Sequence, residues 1–262
     1  MATAGCLSDY AENKFIDLVM AETAFSSPAA VYLALCTAAA DTGATEVGYT
    51  DYARAAITFG AVSSRAITQN ALVTFPQCGA TGATATHWAI YDAASAGNML
   101  AWGALSVSKS IVSGNTPSVA SGQVVITVEA GKISDYLAGK LLDHIFRATA
   151  YTAPTDRHLA LATVDITDSM TGSTITEPSG NGYERKTSGT WTVSGNQASN
   201  AAAEDFATPT GSWGEITAVA VLDASTAGNV LFYDAAPTGQ GQTPTTGDTV
   251  SFAIGGFVVS VS

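Results

Sequence analysis

His87, His144, His158, Cys6, Cys36 and Cys78 are the side chains of this 262-residue chain best suited to metal or covalent chemistry. The three histidines stand far apart, without the spacing that gathers ligands around a metal. The cysteines are an odd number, again without metal spacing, so free or buried thiols are expected rather than a disulfide framework. No G-x-S-x-G elbow, phosphate-binding loop or dinucleotide fingerprint occurs. What remains is a scatter of carboxylates, four tryptophans and two copies of a Tyr-x-Arg pattern, Tyr52/Arg54 and Tyr183/Arg185.

That second copy is one part of a longer duplication. Ser8-Asp9-Tyr10 returns 126 residues later as Ser134-Asp135-Tyr136. At the same offset Pro28 meets Pro154, and Leu33-Ala34-Leu35 meets Leu159-Ala160-Leu161. The offset then grows to 131, where Thr45-Glu46 meets Thr176-Glu177, Asp92-Ala93 meets Asp223-Ala224, and Gly97-Asn98 meets Gly228-Asn229. A last shift to 133 aligns Val124 to Val128 with Phe257 to Val261. The length changes fall in Gly/Ser/Thr-rich stretches, as expected of surface loops. Two homologous modules follow, residues 1–130 and 131–262, each long enough to enclose a core of its own.

The duplication sorts chemistry from architecture. A residue the fold requires should persist in both copies, yet no histidine does: His87 meets Ala218, His144 meets Leu18 and His158 meets Tyr32. Cys36 meets Ala162, which suits a small core residue better than a nucleophile. Four acids are shared, as Asp9/Asp135, Asp17/Asp143, Glu46/Glu177 and Asp92/Asp223. Glycoside hydrolysis would need two of them facing each other across a sugar. Bland positions account for all four: a helix start, a helix flank, a loop, and a hairpin turn where Asp accepts backbone N–H groups. For Tyr-x-Arg the choice lies between a ligand-facing arginine and an internal ion pair to a shared acid such as Asp17 or Asp143. With only ten Lys and Arg in the chain, the internal pair is expected. Trp88, Trp102, Trp191 and Trp213 could stack on sugars, but Trp88 and Trp102 meet Val219 and Tyr233, so core packing and rim anchoring are the expected uses. No catalytic, cofactor-binding or metal-binding residue is therefore assigned, and no partner-binding residue is identified.

The elements that hold these residues are one helix and about six short strands per copy. Ser8 and Ser134 are placed to cap the helices, with Asp9 and Asp135 in the first turns. The stripe Ala11, Phe15, Ile16, Val19 maps onto Leu137, Leu141, Leu142, Ile145 and is set to pack on a sheet. Strands are read at Val31 to Cys36, Ala53 to Phe59, Leu72 to Phe75, His87 to Tyr91, Met99 to Trp102 and Val124 to Val128, with a hairpin around Gly97-Asn98 and its copy around Gly228-Asn229. Copy two has Arg157 where copy one has Val31, so that strand end is expected to reach solvent. The fold class is mainly β (α+β): each module is an N-terminal helix packed on a small antiparallel β-sandwich or jelly-roll-like sheet.

Composition closes off several functions. Charged residues make up 12%, about half the usual share, so small polar residues must form the surface. Ten cations against 22 acids leave a net charge of −12, which disfavours nucleic acid and anionic membranes as partners. No apolar run is long enough to span a bilayer, and the start of the chain lacks the regions of a signal peptide.

The blocks Leu7-Ser8-Asp9-Tyr10-Ala11-Glu12-Asn13-Lys14, Val31-Tyr32-Leu33-Ala34-Leu35, Tyr52-Ala53-Arg54, Thr86-His87-Trp88-Ala89-Ile90-Tyr91-Asp92-Ala93 and Gly97-Asn98-Met99-Leu100 carry a resemblance. The chain resembles small phage virion proteins, often labelled tail-fibre proteins, that are usually one module of about half this length. Copy two departs from the pattern at Gly139, Ala218 and Val219, which stand where copy one has Asn13, His87 and Trp88. The resemblance implies a non-enzymatic virion structural protein, assembled in the host cytoplasm without a cofactor. Its partners would be other virion proteins, of the capsid or the tail, and further copies of itself as a homo-oligomer. Capsid decoration or cementing is the first expectation, since an acidic outer face avoids packaged phosphates. A tail or tail-fibre component, as adaptor or receptor-binding tip, is the alternative, and a virion-borne glycan hydrolase the third.

Overall fold

Each half begins where a serine turns the chain into a helix. Ser8 accepts the Ala11 N–H at 3.2 Å and opens α1 (Asp9–Met20); Ser134 accepts the Leu137 N–H at 3.1 Å and opens α2 (Asp135–Phe146). The same hydroxyls donate to Met99 O and Val230 O, and the serine N–H groups donate to Leu100 O and Leu231 O. A cap that also bonds to the central sheet fixes where each helix sits. The computed structural model describes residues 4–236 and 241–261.

In the first half the strands are β1 (Ala4–Leu7), β2 (Val31–Ala40), β3 (Gly43–Glu46), β4 (Ala55–Ile57) and β5 (Ala66–Thr68). They continue as β6 (Val73–Thr74), β7 (Ala83–Tyr91), β8 (Met99–Ile111), β9 (Ser118–Val119) and β10 (Val125–Thr127). The second half has β11 (His158–Ala162), β12 (Lys186–Thr187), β13 (Trp191–Ser194), β14 (Gln197–Asn200) and β15 (Glu204–Asp205). It ends with β16 (Ala218–Leu222), β17 (Val230–Ala235), β18 (Ser251–Phe252) and β19 (Val258–Ser260). The strand order β4-β2-β7-β8 of the first half recurs as β12-β11-β16-β17. The small pairs β6-β9 and β15-β18 also correspond. These are two structurally similar modules, each a small helix packed against an antiparallel sheet.

One strand decides how the sheets of the two halves join. β1 pairs antiparallel with β8 and parallel with β10, so eight strands of the first half join in one sheet. Its sequence counterpart, Ala130 to Ile133, makes a single bridge from Ile133 to Phe232. Without the stitch, the second half divides into β12-β11-β16-β17 and β13-β14-β19. The expectation that each copy opens directly with its helix thus misses β1.

Burial follows the stripes. Ala11, Phe15, Ile16 and Val19 are fully buried, and so are Leu137, Leu141, Leu142 and Ile145. The cores are not separate, however, as the module lengths suggested. One apolar cluster takes in both helices together with Leu33, Ile67 and Ile126 from the first half and Trp191, Ala198 and Val259 from the second. α1 packs on β8 of its own half and on β13 and β14 of the other; α2 packs on β17 and reaches back to β5. Each helix therefore buries one flank against its own sheet and the other against its neighbour's.

Polar groups line this seam. Arg157 is 6% exposed, against the expectation of a solvent-reaching strand end. Its guanidinium donates to Met20 O at 2.9 Å, at the C-terminal end of α1, and lies 3.1 Å from Glu22 Oε1. A helix end offers carbonyls without intrahelical partners, and these satisfy a buried cation. On the opposite side Arg65 donates to Val128 O and Ile133 O and pairs with Asp135 at 3.2 Å. Asn196, the counterpart of Arg65, donates to Glu12 Oε2 at 3.1 Å and to Val261 O at 2.9 Å.

Candidate functional site

Two side-chain clusters survive duplication nearly atom for atom, and they contain both Tyr-x-Arg patterns. β2 and β3 fold back on each other so that Glu46, in the last position of β3 rather than in a loop, faces the segment leading into β4. Arg54 Nη2 lies 2.7 Å from Glu46 Oε1, and Arg185 Nη2 lies 2.7 Å from Glu177 Oε1. The tyrosine hydroxyls donate to the second carboxylate oxygens, Tyr52 to Glu46 at 2.7 Å and Tyr183 to Glu177 at 2.8 Å. They also accept the Leu35 and Leu161 N–H groups. The ion pair is internal, as expected, but its acid is Glu46 or Glu177 and not Asp17 or Asp143. Asp143 instead pairs with Arg147 one helical turn away, at 2.6 Å.

The far ends of the guanidinium groups hold the hairpin loops. Arg54 Nη1 donates to Ala93 O at 2.8 Å and to Ala96 O at 2.6 Å; Arg185 Nη1 donates to Ala224 O at 2.9 Å and to Ala227 O at 2.8 Å. Ala96 and Ala227 adopt φ of 52° and 50°, left-handed values that cost an alanine energy unless its surroundings hold it. Asp92 and Asp223 close the same loops by accepting both the backbone and side-chain N–H groups of Asn98 and Asn229. Gly97 and Gly228 follow the strained alanines, and a Cβ there would meet the Asp92 or Asp223 carboxylate at 2.4 or 2.5 Å. With the arginine donors occupied by protein acceptors, these clusters are clamps on a loop.

Their electrostatics agree. Burial opposes ionisation of Glu46, but the hydrogen bonds from Arg54 and Tyr52 and the guanidinium charge outweigh it and hold the carboxyl below its ordinary range. Burial and the neighbouring glutamates push Tyr52 and Tyr183 well above the usual phenol range. The Cys36 thiol, buried and then further disfavoured as an anion by Glu46, is pushed up to about 12 and stays protonated.

The remaining expected residues are dispersed. His144 sits in the seam, accepting the Tyr151 N–H at 3.0 Å and packing 5.0 Å from the Phe25 ring; burial lowers its pKa and keeps it neutral. His158 is buried beside Thr187, and His87 is half-buried beside Trp102. Trp102 donates to Asp41 at 2.8 Å, Trp191 to Ser188 and Trp213 to Asn181 O, while Trp88 lies under Gly5 and Gly103. Among the described residues, no group of three or more His, Cys, Asp or Glu could hold a metal.

Two clefts also match between the halves, and sequence reasoning missed them. One of about 620 Å³ lies beside Trp88, Phe75 and Val119, and one of about 650 Å³ beside Val219, Val250 and Phe252. The missed seam did leave one signal: Glu12 and Arg157 are charged residues at positions the apolar patterns place inside.

No curated protein matches the chain. Residues 6–127 and, separately, residues 132–260 match the phage protein family described as podophage GP4 fiber I protein gp80. The chain belongs to this family and is a non-enzymatic, fibre-type structural protein of the phage virion.

Proposed function

We propose that the chain is a component of the phage tail or its fibres, serving as an adaptor or a receptor-binding tip, and that it consists of tandem modules at 1–130 and 131–262. The observation that carries this reading is the double match to a fibre family, once per half. It moves the tail ahead of capsid decoration, which rested on charge. The geometry supports a passive role: Glu46/Glu177, Asp92/Asp223 and Arg54/Arg185 are spent on loop clamps, and the exposed surface is rich in small polar residues that lose little entropy when an interface orders them. Its partners are then other tail proteins and further copies of the same chain.

Copy number per particle tests the location. Quantitative mass spectrometry of purified virions should find tens of copies or fewer, as a tail assembly requires. Hundreds of copies would place the protein on the shell and restore the decoration reading. Light scattering of the purified chain tests the homo-oligomer, and a monomer at micromolar concentration would count against it.

A further inference from the structure

A strand edge with unpaired N–H and C=O groups is a template for a further strand, and folded proteins keep such edges short or covered. The first half covers two edges at once with β1, which sets Cys6 opposite Trp102 of β8 and Ala4 opposite Val125 of β10. In the second half the matching edges belong to β17 and β19, and each of these strands ends its sheet. Lys132 and Ile133 take the places of Cys6 and Leu7: Lys132 O accepts the Tyr233 N–H, and Ile133 bridges Phe232. There the likeness stops. Gly131, the counterpart of Gly5, has a φ of 152°, a value that side chains disfavour. The residues before it are held by the first half, where Arg65 donates to Val128 O and Glu129 O. A segment that must run back to β10 cannot also fill the slot between β17 and β19.

Alternation along the two strands fixes which groups turn to that slot. The Tyr233 N–H points into it, so the N–H and C=O of Ala235, two residues on, point the same way. Phe257 O accepts the Asn200 N–H and the Val261 N–H donates to Asn196 O, both on the β14 side, so Val258 turns its N–H and C=O to the slot. Ala235 and Val258 are both exposed, and among the described residues each pairs with a strand on its far side alone. The second cleft, of about 650 Å³, opens between Ala235 and Phe257 and extends to Asp234. Gly103 and Ala104, the counterparts of Asp234 and Ala235, do not line the first cleft. The floor has changed as well. A Cβ on Gly5 would run into the Trp88 ring at 2.2 Å, whereas Val219 stands in the place of Trp88 and leaves room for a larger side chain.

We propose that this slot receives an extended segment of a different virion protein, which adds as a strand beside β17 in the way β1 lies beside β8. Main-chain bonds to Ala235 and Val258 hold the segment, and its alternate side chains, apolar and larger than the glycine of β1, face Val219 and Phe252. A second copy of the chain is not the donor, because its own strand of this kind, β1, is already paired on both edges. Such an attachment serves a tail or a shell position alike.

Calorimetry on the intact chain tests the slot with the blocked peptide acetyl-Val-Thr-Val-Thr-Val-amide. Binding at one site per chain is expected. The same peptide N-methylated at both threonines keeps every side chain but loses the N–H groups that would face β17, and it should bind about ten-fold more weakly or worse. Ala235→Pro and Val258→Pro each remove an N–H that no strand of the chain uses, a position where an edge strand tolerates proline. Each variant, checked for folding by its melting curve, should lose about ten-fold in peptide affinity. In assembled virions, a benzophenone side chain placed at position 235 should crosslink the chain to a different virion protein. No peptide binding at millimolar concentration, equal binding of the N-methylated peptide, or unchanged affinity in either folded proline variant would overturn the proposal. Crosslinks to other copies of this chain alone, or to nothing, would overturn it too.

Discussion

The clamps of the two halves agree to within about 0.2 Å in their Arg–Glu and Tyr–Glu distances, while the sheet edges beside them have drifted apart. In the first half β1 stitches the sheet together and Trp88 fills the space that Gly5 and Gly103 leave. In the second half the stitch is one bridge, Trp88 has become Val219, and Gly103 has become Asp234, which pairs with Lys132 at 2.6 Å. The difference separates two kinds of constraint. A strained loop tolerates one arrangement of donors and acceptors, so its clamp is kept whole. An apolar space can be filled by several combinations of large and small side chains, so its residues change together.

The largest effect should come from forcing one solution onto the other. Trp88→Val copies the second half into the first without the compensating changes at Gly5 and Gly103. It should cost about 3–4 kcal/mol through the cavity it leaves, measured by urea denaturation. A loss under about 1 kcal/mol would show that the space closes without the indole. Next come the clamps: Arg54→Met leaves a partly buried glutamate and two loop carbonyls unpaired, and Arg185→Met a glutamate and three carbonyls, at about 2–3 kcal/mol each. Losses within about 1 kcal/mol of each other are expected, since the shared contacts match and each arginine has one further contact of its own, Arg54 over the Tyr91 ring and Arg185 to Gly172 O. A neutral substitution in one half alone would break the equivalence. Gly97→Ala and Gly228→Ala add a Cβ against an aspartate at positive φ and should each lower stability by about 1–2 kcal/mol.

The smallest effect concerns an asymmetry of the seam. Glu12 faces Asn196, whereas the matching helix position is Ala138. Burial, with help from the charges of Asp9 and Asp41 and against the Asn196 hydrogen bond, raises the Glu12 pKa to about 7. A carboxyl with a folded pKa above its unfolded value of about 4.3 favours the folded state when protonated. Stability should therefore fall as pH rises from about 4.5 to 7 and level off above. Glu12→Gln should remove that fall, gaining about 1–2 kcal/mol at pH 8 after allowance for solvent screening and almost nothing at pH 4. Thermal melts across that range check it, and a parallel pH profile in the variant would contradict the assignment.

Local signals in the sequence were readable wherever the interaction is local. Ser8 and Ser134 mark both helix starts, the stripes mark their buried faces, and Asp92 with Gly97-Asn98 marks the clamped hairpin. The Tyr-x-Arg motif announced an internal ion pair but not its acid. Glu46 comes into reach of Arg54 only because β3 and β4 both pair with β2. Arg157 misled because its acceptors belong to the other half: a cation in an apolar strand looks solvent-bound until the end of α1 is brought to it. The clefts left no sequence signal, since a void is defined by what fails to fill it.

The claim that matters most is that two copies of one building block are locked into a single body by a shared core. It is tested most directly by cutting the chain between them. With a protease site introduced at Ala130-Gly131 and cleaved in the folded protein, the two fragments should stay together and elute at the mass of the uncut protein under native conditions. Separation into two half-sized species would contradict it.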